Sequence, residues 1–212
     1  MENQIYILGI GPGSEDYLLP ITRRLAEESD VLIGGKRAIK LFSDLDKEEL
    51  VIKADLKRVL NYIKDNYCQK QIAVLVSGDP GLYSMLNYLS KHFSKDKLKV
   101  IPGISSLQLG FAKAKLVWQD AEITSLHGRD KAELLEMIED SEKVGFFTDY
   151  KFPPDQIAEY LLEAGVTERR AFVGERLSYG DERVIDGKLE EITKYNDFGM
   201  SVMVIYSEGD LA

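Results

Sequence analysis

Three short stretches of this chain place glycine, proline and small polar residues directly after apolar runs. They are Gly9-Ile10-Gly11-Pro12-Gly13-Ser14, Ser77-Gly78-Asp79-Pro80-Gly81-Leu82 and Pro102-Gly103-Ile104-Ser105-Ser106. Glycine lets the backbone turn sharply or come close to a ligand. A dinucleotide fingerprint would need a third glycine where Ser14 stands, and an acidic residue ending the next strand, which here ends in Gly34-Gly35. Pro12 supplies no backbone N–H for a pyrophosphate. A phosphate loop of the Walker type fails too, because Gly34-Gly35-Lys36 has no glycine at the required upstream spacing. A loop built around Pro12 can instead turn carbonyl groups toward a cationic or donor-rich ligand. S-adenosylmethionine, with a sulfonium and an ammonium, is such a ligand. Asp79 is a short carboxylate at a strand end; it suits a ribose hydroxyl or an ammonium, or it caps the helix that follows Pro80.

The rest of the composition narrows the setting. The chain has 212 residues, enough for one large or two small cores, with 44% hydrophobic and 30% charged residues. Its net charge of -9 disfavours nucleic acid as a partner. The single cysteine, Cys68, rules out an intrachain disulfide and a thiolate cluster for a metal. No stretch approaches the ~20 apolar residues of a membrane span, and no signal peptide is legible, so a cytoplasmic location is expected.

The elements that must carry the three stretches alternate. "IYILGI", "VLIGG", "LVIKA", "QIAVLV" and "LKVI" read as strands. Between them, Pro20 opens a helix with Ile21 and Leu25 on one face, and Asp55 caps a helix of Leu56, Val59, Leu60 and Ile63. Strands alternating with helices imply a parallel sheet, whose ligands bind beyond the carboxyl ends of its strands. The three stretches fall at such ends. The rhythm restarts near Lys115–Asp120: "EITSLHG", "KVGFFTD", "RRAFVGERL", "ERVIDGKLEEI" and "MSVMVIYSE" read as strands, the last three antiparallel. Two α/β domains are expected, 1–116 with a mostly parallel sheet and 117–212 with a mixed one.

In this order and spacing, "GIGPGSEDYL", "SGDPGLY" and "PGISSLQLGFAK" resemble the tetrapyrrole methylases, and the resemblance covers nearly the whole chain. "SLHGRD" and "ERLSYGDERV" resemble the branch that methylates C5 of a corrin precursor, cobalt-precorrin-7 or precorrin-6Y, in cobalamin biosynthesis. The resemblance implies an S-adenosylmethionine-dependent methyltransferase of two α/β domains with the cofactor in a cleft between them, usually a homodimer. It places Gly11 and Pro12 in the first loop, near the substrate. Ser77, Gly78, Asp79 and Leu82 are expected to line the cofactor, with Ser105 and Ser106 as the polar pair after the Pro-Gly turn. In the second domain the cofactor contacts carry over to Phe147, Thr148 and Leu177. The second strand ends "IGGKR", without the carboxylate that relatives acting on early substrates place there, so no catalytic base carries over.

Methyl transfer from a sulfonium is an in-line displacement that needs no metal, and the sequence offers no ligand cluster for one. The methine carbon C5 is electron-rich, so positioning it does much of the work. The substrate carries many carboxylates. Arg129 has the fork geometry to read one, and its local charge would let an acidic protein hold a polyanion. Lys36 and Arg37 also lie near a strand end, although a solvated surface role suits all three. His127 follows a strand directly, where it can donate to a carboxylate, move a proton near neutrality, or serve a structural loop. His92 is expected at an exposed helix end, and Trp118 against the linker. The C15 methylation and decarboxylation are expected of a separate protein. Competing readings are a methylase of the same fold acting on another tetrapyrrole, a protein side chain or ribosomal RNA, a nicotinamide-dependent oxidoreductase, and a non-catalytic carrier.

Overall fold

The structure is a computed structural model that describes residues 4–127, 131–207 and 209. Arg129 lies outside the described residues. The chain forms two units, Met1–Ser105 and Ser106–Ala212. In the first, β1 (Ile5–Gly9), α1 (Pro20–Glu27), β2 (Val31–Gly34), α2 (Lys36–Lys40), β3 (Glu48–Val51), α3 (Leu56–Asn66), β4 (Ile72–Val76), α4 (Met85–Leu89) and β5 (Leu98–Ile101) follow one another. The five strands pair in parallel in the order β3-β2-β4-β1-β5.

The central strands are uninterrupted apolar runs because both faces are covered, as a parallel sheet requires. On one face Ile7, Ile33 and Val74 pack with Val59, Leu60 and Ile63 of α3. On the other, Leu8, Leu32 and Leu75 pack with Leu25 of α1, Ile39 of α2 and Phe42. Asp55 caps α3 through its carboxylate, which accepts the Arg58 N–H at 3.1 Å. Pro20 is the first residue of α1. Ile21, expected beside Leu25, is instead 37% exposed, and Thr22 takes the inward place.

The second unit opens with α5 (Ser106–Ala114) and continues through β6 (Glu122–Ser125), α6 (Lys131–Asp140), β7 (Lys143–Phe147), α7 (Pro154–Glu163), β8 (Arg169–Glu175), β9 (Arg183–Lys188), α8 (Leu189–Ile192) and β10 (Ser201–Ser207). Its sheet has the order β6-β7-β10-β8-β9. Only β6 and β7 run parallel; β10 is antiparallel to β7 and β8, and β8 to β9. Helices α6, α7 and α8 cover one face with Leu134, Ile138, Ile157, Leu161 and Leu189.

Helix α5 covers the other face through Phe111, packed with Phe172, Val204 and Tyr206. Gly145 of β7 makes room for it: a Cβ there would stand 2.7 Å from the Phe111 ring. This packing puts α5 with the second sheet, whereas the sequence reading set the boundary after residue 116. The segment "ERVIDGKLEEI", read as one strand, bends into helix after Lys188, where the Glu191 carboxylate accepts the Lys188 N–H at 2.9 Å.

Candidate functional site

The three glycine-rich stretches do converge at the carboxyl ends of neighbouring strands, β4, β1 and β5. Their backbones are stacked more tightly than side chains would allow. A Cβ on Gly9 would lie 2.5 Å from the Gly103 nitrogen, and one on Gly103 would lie 2.2 Å from the Gly78 carbonyl oxygen. Gly11 and Gly78 form a further bridge, the Gly78 N–H donating to the Gly11 carbonyl at 2.8 Å. Both take a positive φ, +78° and +68°, which glycine adopts without a steric cost.

Two of the carbonyls expected to face a ligand already have partners. Gly11 receives Gly78, and Gly9 receives the buried Thr22 hydroxyl of α1 at 3.2 Å. Ser14, at the position where a dinucleotide loop has glycine, caps the 3₁₀ turn Glu15–Tyr17 by accepting the Asp16 N–H. The next α-helix begins only at Pro20, which has no N–H. No α-helix N-terminus therefore opens directly from this loop toward a pyrophosphate.

Asp79 ties the second stretch to the third. One carboxylate oxygen accepts the Gly81 N–H at 2.7 Å and the other the Gly103 N–H at 3.1 Å. It does not cap the following helix, which starts at Met85 after Ser84. Ser77 at the end of β4 is exposed, Pro12 and Leu82 are half-buried, and Ser105 is 2% exposed. The stretches 9–14, 77–84 and 102–106 hold one carboxylate and no lysine or arginine. Such a rim favours a cationic ligand over a phosphate, by simple Coulomb attraction.

In the second unit, half-buried Phe147 ends β7 and is followed by Thr148. The Thr148 hydroxyl donates to the Ser201 carbonyl at 3.0 Å and lies 2.8 Å from the Ser201 hydroxyl. Leu177 is buried against Gly174, where a Cβ would come within 2.8 Å of its side chain. It sits between two non-glycine residues of positive φ, Arg176 at +49° and Ser178 at +73°. Such backbone costs energy and persists when its surroundings hold it. The hold here is Glu182, which accepts the Ser178 N–H at 2.9 Å and pairs with Lys113 of α5 at 2.5 Å. The Lys113 ammonium keeps the Glu182 carboxyl below its ordinary value. Ser106, the other half of the polar pair, is the first residue of α5.

His127 stands just past β6 with its side chain 65% exposed, and its Nδ1 lies 2.6 Å from Asp149, which is 14% exposed. Asp149 was not singled out in the sequence, although "FFTDY" puts a short carboxylate at a strand end much as "VSGD" does. Its carboxyl is held below its ordinary value, first by the Lys151 N–H and then by His127. Lys36 and Arg37 are exposed at the start of α2. His92 is exposed beside Tyr88, and Trp118 is partly exposed near Phe111. Among the described residues no three His, Cys, Asp or Glu side chains are grouped as metal ligands, and no helix is long and apolar enough to cross a membrane.

A match to the family model of tetrapyrrole (corrin/porphyrin) methylases runs over residues 4–193, so the chain belongs to that family and is a methyltransferase. It is 35% identical to the probable cobalt-precorrin-7 C(5)-methyltransferase of Methanocaldococcus jannaschii, over 97% of this chain and 98% of the relative. To the cobalt-precorrin-7 C(5)-methyltransferase of Salmonella typhimurium it is 31% identical, over 95% and 98%. The fold is shared with the uroporphyrin-III C-methyl transferase of Thermus thermophilus, solved in complex with S-adenosylhomocysteine. That match has a TM-score of 0.74 and 19% identity over 96% of this chain and 92% of the other.

Proposed function

We propose that this methyltransferase carries the methyl group of S-adenosylmethionine to C5 of cobalt-precorrin-7 in cobalamin biosynthesis. The observation that carries the reading is the near-complete alignment with two relatives that bear this activity in their names. The strand-end loops of the first unit support the donor. They join one carboxylate to a rim free of basic side chains, which fits a sulfonium and an ammonium and does not fit a nicotinamide dinucleotide.

S-adenosylmethionine, when bound, supplies an electrophilic methyl on a positively charged sulfur. The chain's part is to bind, orient and exclude water. Gly11, Pro12, Ser77, Gly78, Asp79 and Leu82, with Ser105 and Ser106, would hold the donor. Phe147, Thr148 and Leu177 would complete its contacts. The Leu177 segment is held by Glu182 and Lys113 in one conformation, so its contribution is preorganised. Arg129 would read a substrate carboxylate. We ascribe to this chain the C5 step alone, with C15 methylation and decarboxylation left to a separate enzyme, and place it in the cytoplasm as a homodimer.

Mass spectrometry tests the reaction. Cobalt-precorrin-7 incubated with the protein and S-adenosylmethionine should gain one methylene unit, with fragmentation placing it at C5. No gain, or a gain at another position, refutes the assignment. Calorimetry should show binding of S-adenosylhomocysteine and none of NAD, and sedimentation should give twice the mass of the chain.

A further inference from the structure

We infer that His127 is the proton acceptor of the methyl transfer, with Asp149 as the residue that orients it. The inference rests on the C5 assignment above. Strands β6 and β7 run parallel with Ser125 opposite Phe147. Two residues beyond each stand His127 and Asp149, level with each other at the carboxyl edge of the pair, where open parallel sheets take ligands. Asp149 is fixed from behind. One carboxylate oxygen accepts the Lys151 N–H at 2.8 Å, and its own carbonyl accepts the Phe152 N–H at 3.0 Å. Its other carboxylate oxygen meets His127 Nδ1 at 2.6 Å.

An ionised carboxylate can only accept, so Nδ1 carries the proton. In the neutral ring Nε2 then has a free lone pair, on a side chain that is largely exposed. A fixed tautomer with an outward lone pair is what a general base requires. The other histidine, His92, has an aromatic neighbour in Tyr88 and comes from the other unit.

A methine carbon that gains a methyl and stays conjugated must lose its hydrogen. An electron pair of C5 forms the new C–C bond, while the S–C bond breaks and leaves its pair on sulfur. The C5–H bond then breaks, returning its pair to the macrocycle, and the proton passes to His127 Nε2. The resulting imidazolium is stabilised by Asp149 and gives the proton to water.

The test uses the whole chain and His127→Ala, His127→Gln and Asp149→Asn. In the ligand-free protein, nitrogen-15 spectra of the two histidines should show neutral His127 protonated at Nδ1, with the preference reversed in Asp149→Asn, where an amide N–H can face the ring. His127→Ala should lose about 100-fold in kcat, the lower end of the range for a general base, with unchanged affinity for S-adenosylhomocysteine. Added imidazole should restore part of the rate. His127→Gln keeps the ring's bulk approximately and a donor, and should be as slow as the alanine variant. Wild-type kcat in either His127 variant, or a neutral His127 protonated at Nε2, overturns the inference while the C5 assignment stands. Failure of the wild-type protein to methylate the substrate overturns both.

Discussion

Replacing Asp79 with alanine removes two acceptors that serve quite different donors. Gly103 is buried, and its N–H donates across the loop cluster to the Asp79 carboxylate at 3.1 Å. Left without a partner it costs about 1–3 kcal/mol. The Gly81 N–H is exposed, so water replaces the carboxylate and the net loss is roughly 0.5 kcal/mol. The total is about 1.5–3.5 kcal/mol. For a chain of this size each kcal/mol moves the melting temperature by about 2–4 °C, so Asp79→Ala should melt roughly 3–14 °C lower. Asp79→Asn keeps one carbonyl oxygen for one of the two donors and turns an NH₂ toward the other. Its loss should be intermediate. Calorimetric melting of the three proteins, with titration of S-adenosylhomocysteine into each, separates the roles. If the carboxylate also meets the ligand's ammonium, the asparagine variant loses affinity although its loops stay tied. An alanine variant that melts within about 1 °C of wild type refutes the loop-clip argument, whatever its affinity.

Gly103→Ala would press a methyl group onto the backbone of Gly78 and Gly9, neither of which is a flexible side chain. Its chemical denaturation should show a loss of about 3 kcal/mol or more. Glu182→Gln weakens the hold on Ser178, and the Michaelis constant for S-adenosylmethionine should rise while the fold persists at neutral pH. Because the Glu182 carboxyl is held below its unfolded value by Lys113, its contribution is present above the unfolded pKa of 4.5 and is lost as pH falls through the folded one. The acid limb of stability in the glutamine variant should therefore be flatter than in wild type. Tyr206 is buried with its hydroxyl 2.6 Å from Asp186, and burial pushes its pKa up to about 12. Its neutral form is favoured by folding, so stability is full below pH 10 and declines toward about 12. Tyr206→Phe should lose about 1–2 kcal/mol at neutral pH and this part of the alkaline decline in denaturation profiles.

What the sequence made legible follows from what is local in it. Apolar runs such as "QIAVLV" mark strands because both faces of a parallel sheet are buried, and Pro20 and Asp55 mark helix starts through their own backbone chemistry. The glycine-rich stretches were legible as strand-end loops for the same reason. The destination of the Gly9 and Gly11 carbonyls was not, because it depends on Thr22 from a helix and on Gly78 from a neighbouring strand. Nor was the break of "ERVIDGKLEEI" into strand and helix, which Glu191 settles by turning back onto the Lys188 N–H. Helix α5 could be read as a helix but not assigned to its sheet, since the deciding feature is the absence of a side chain at Gly145 opposite Phe111.

The His127–Asp149 pair shows where that boundary lies within the site itself. Each residue carries a local signal, a polar side chain two positions past the end of a strand, in "SLHG" and in "FFTD". Their meeting depends on β6 and β7 being neighbours, parallel rather than antiparallel, and in the register that sets Ser125 against Phe147. A slip of one residue would move Asp149 to the opposite face of its strand's path and leave the imidazole without its partner. The register in turn is held by burial: Val144 and Phe146 of β7 lie in the core covered by α6 and α7, with Thr124 opposite Phe146, and a slip of β7 by one residue would put Lys143, Gly145 and Phe147 in their place. The orientation of the proton acceptor is therefore set by packing on the far side of its own sheet. Substitutions that thin this core, such as Phe146→Ala, should disturb the His127 tautomer in nitrogen-15 spectra before they abolish the fold. An unchanged tautomer in a folded Phe146→Ala protein would show that Asp149 and its turn to Lys151 suffice on their own.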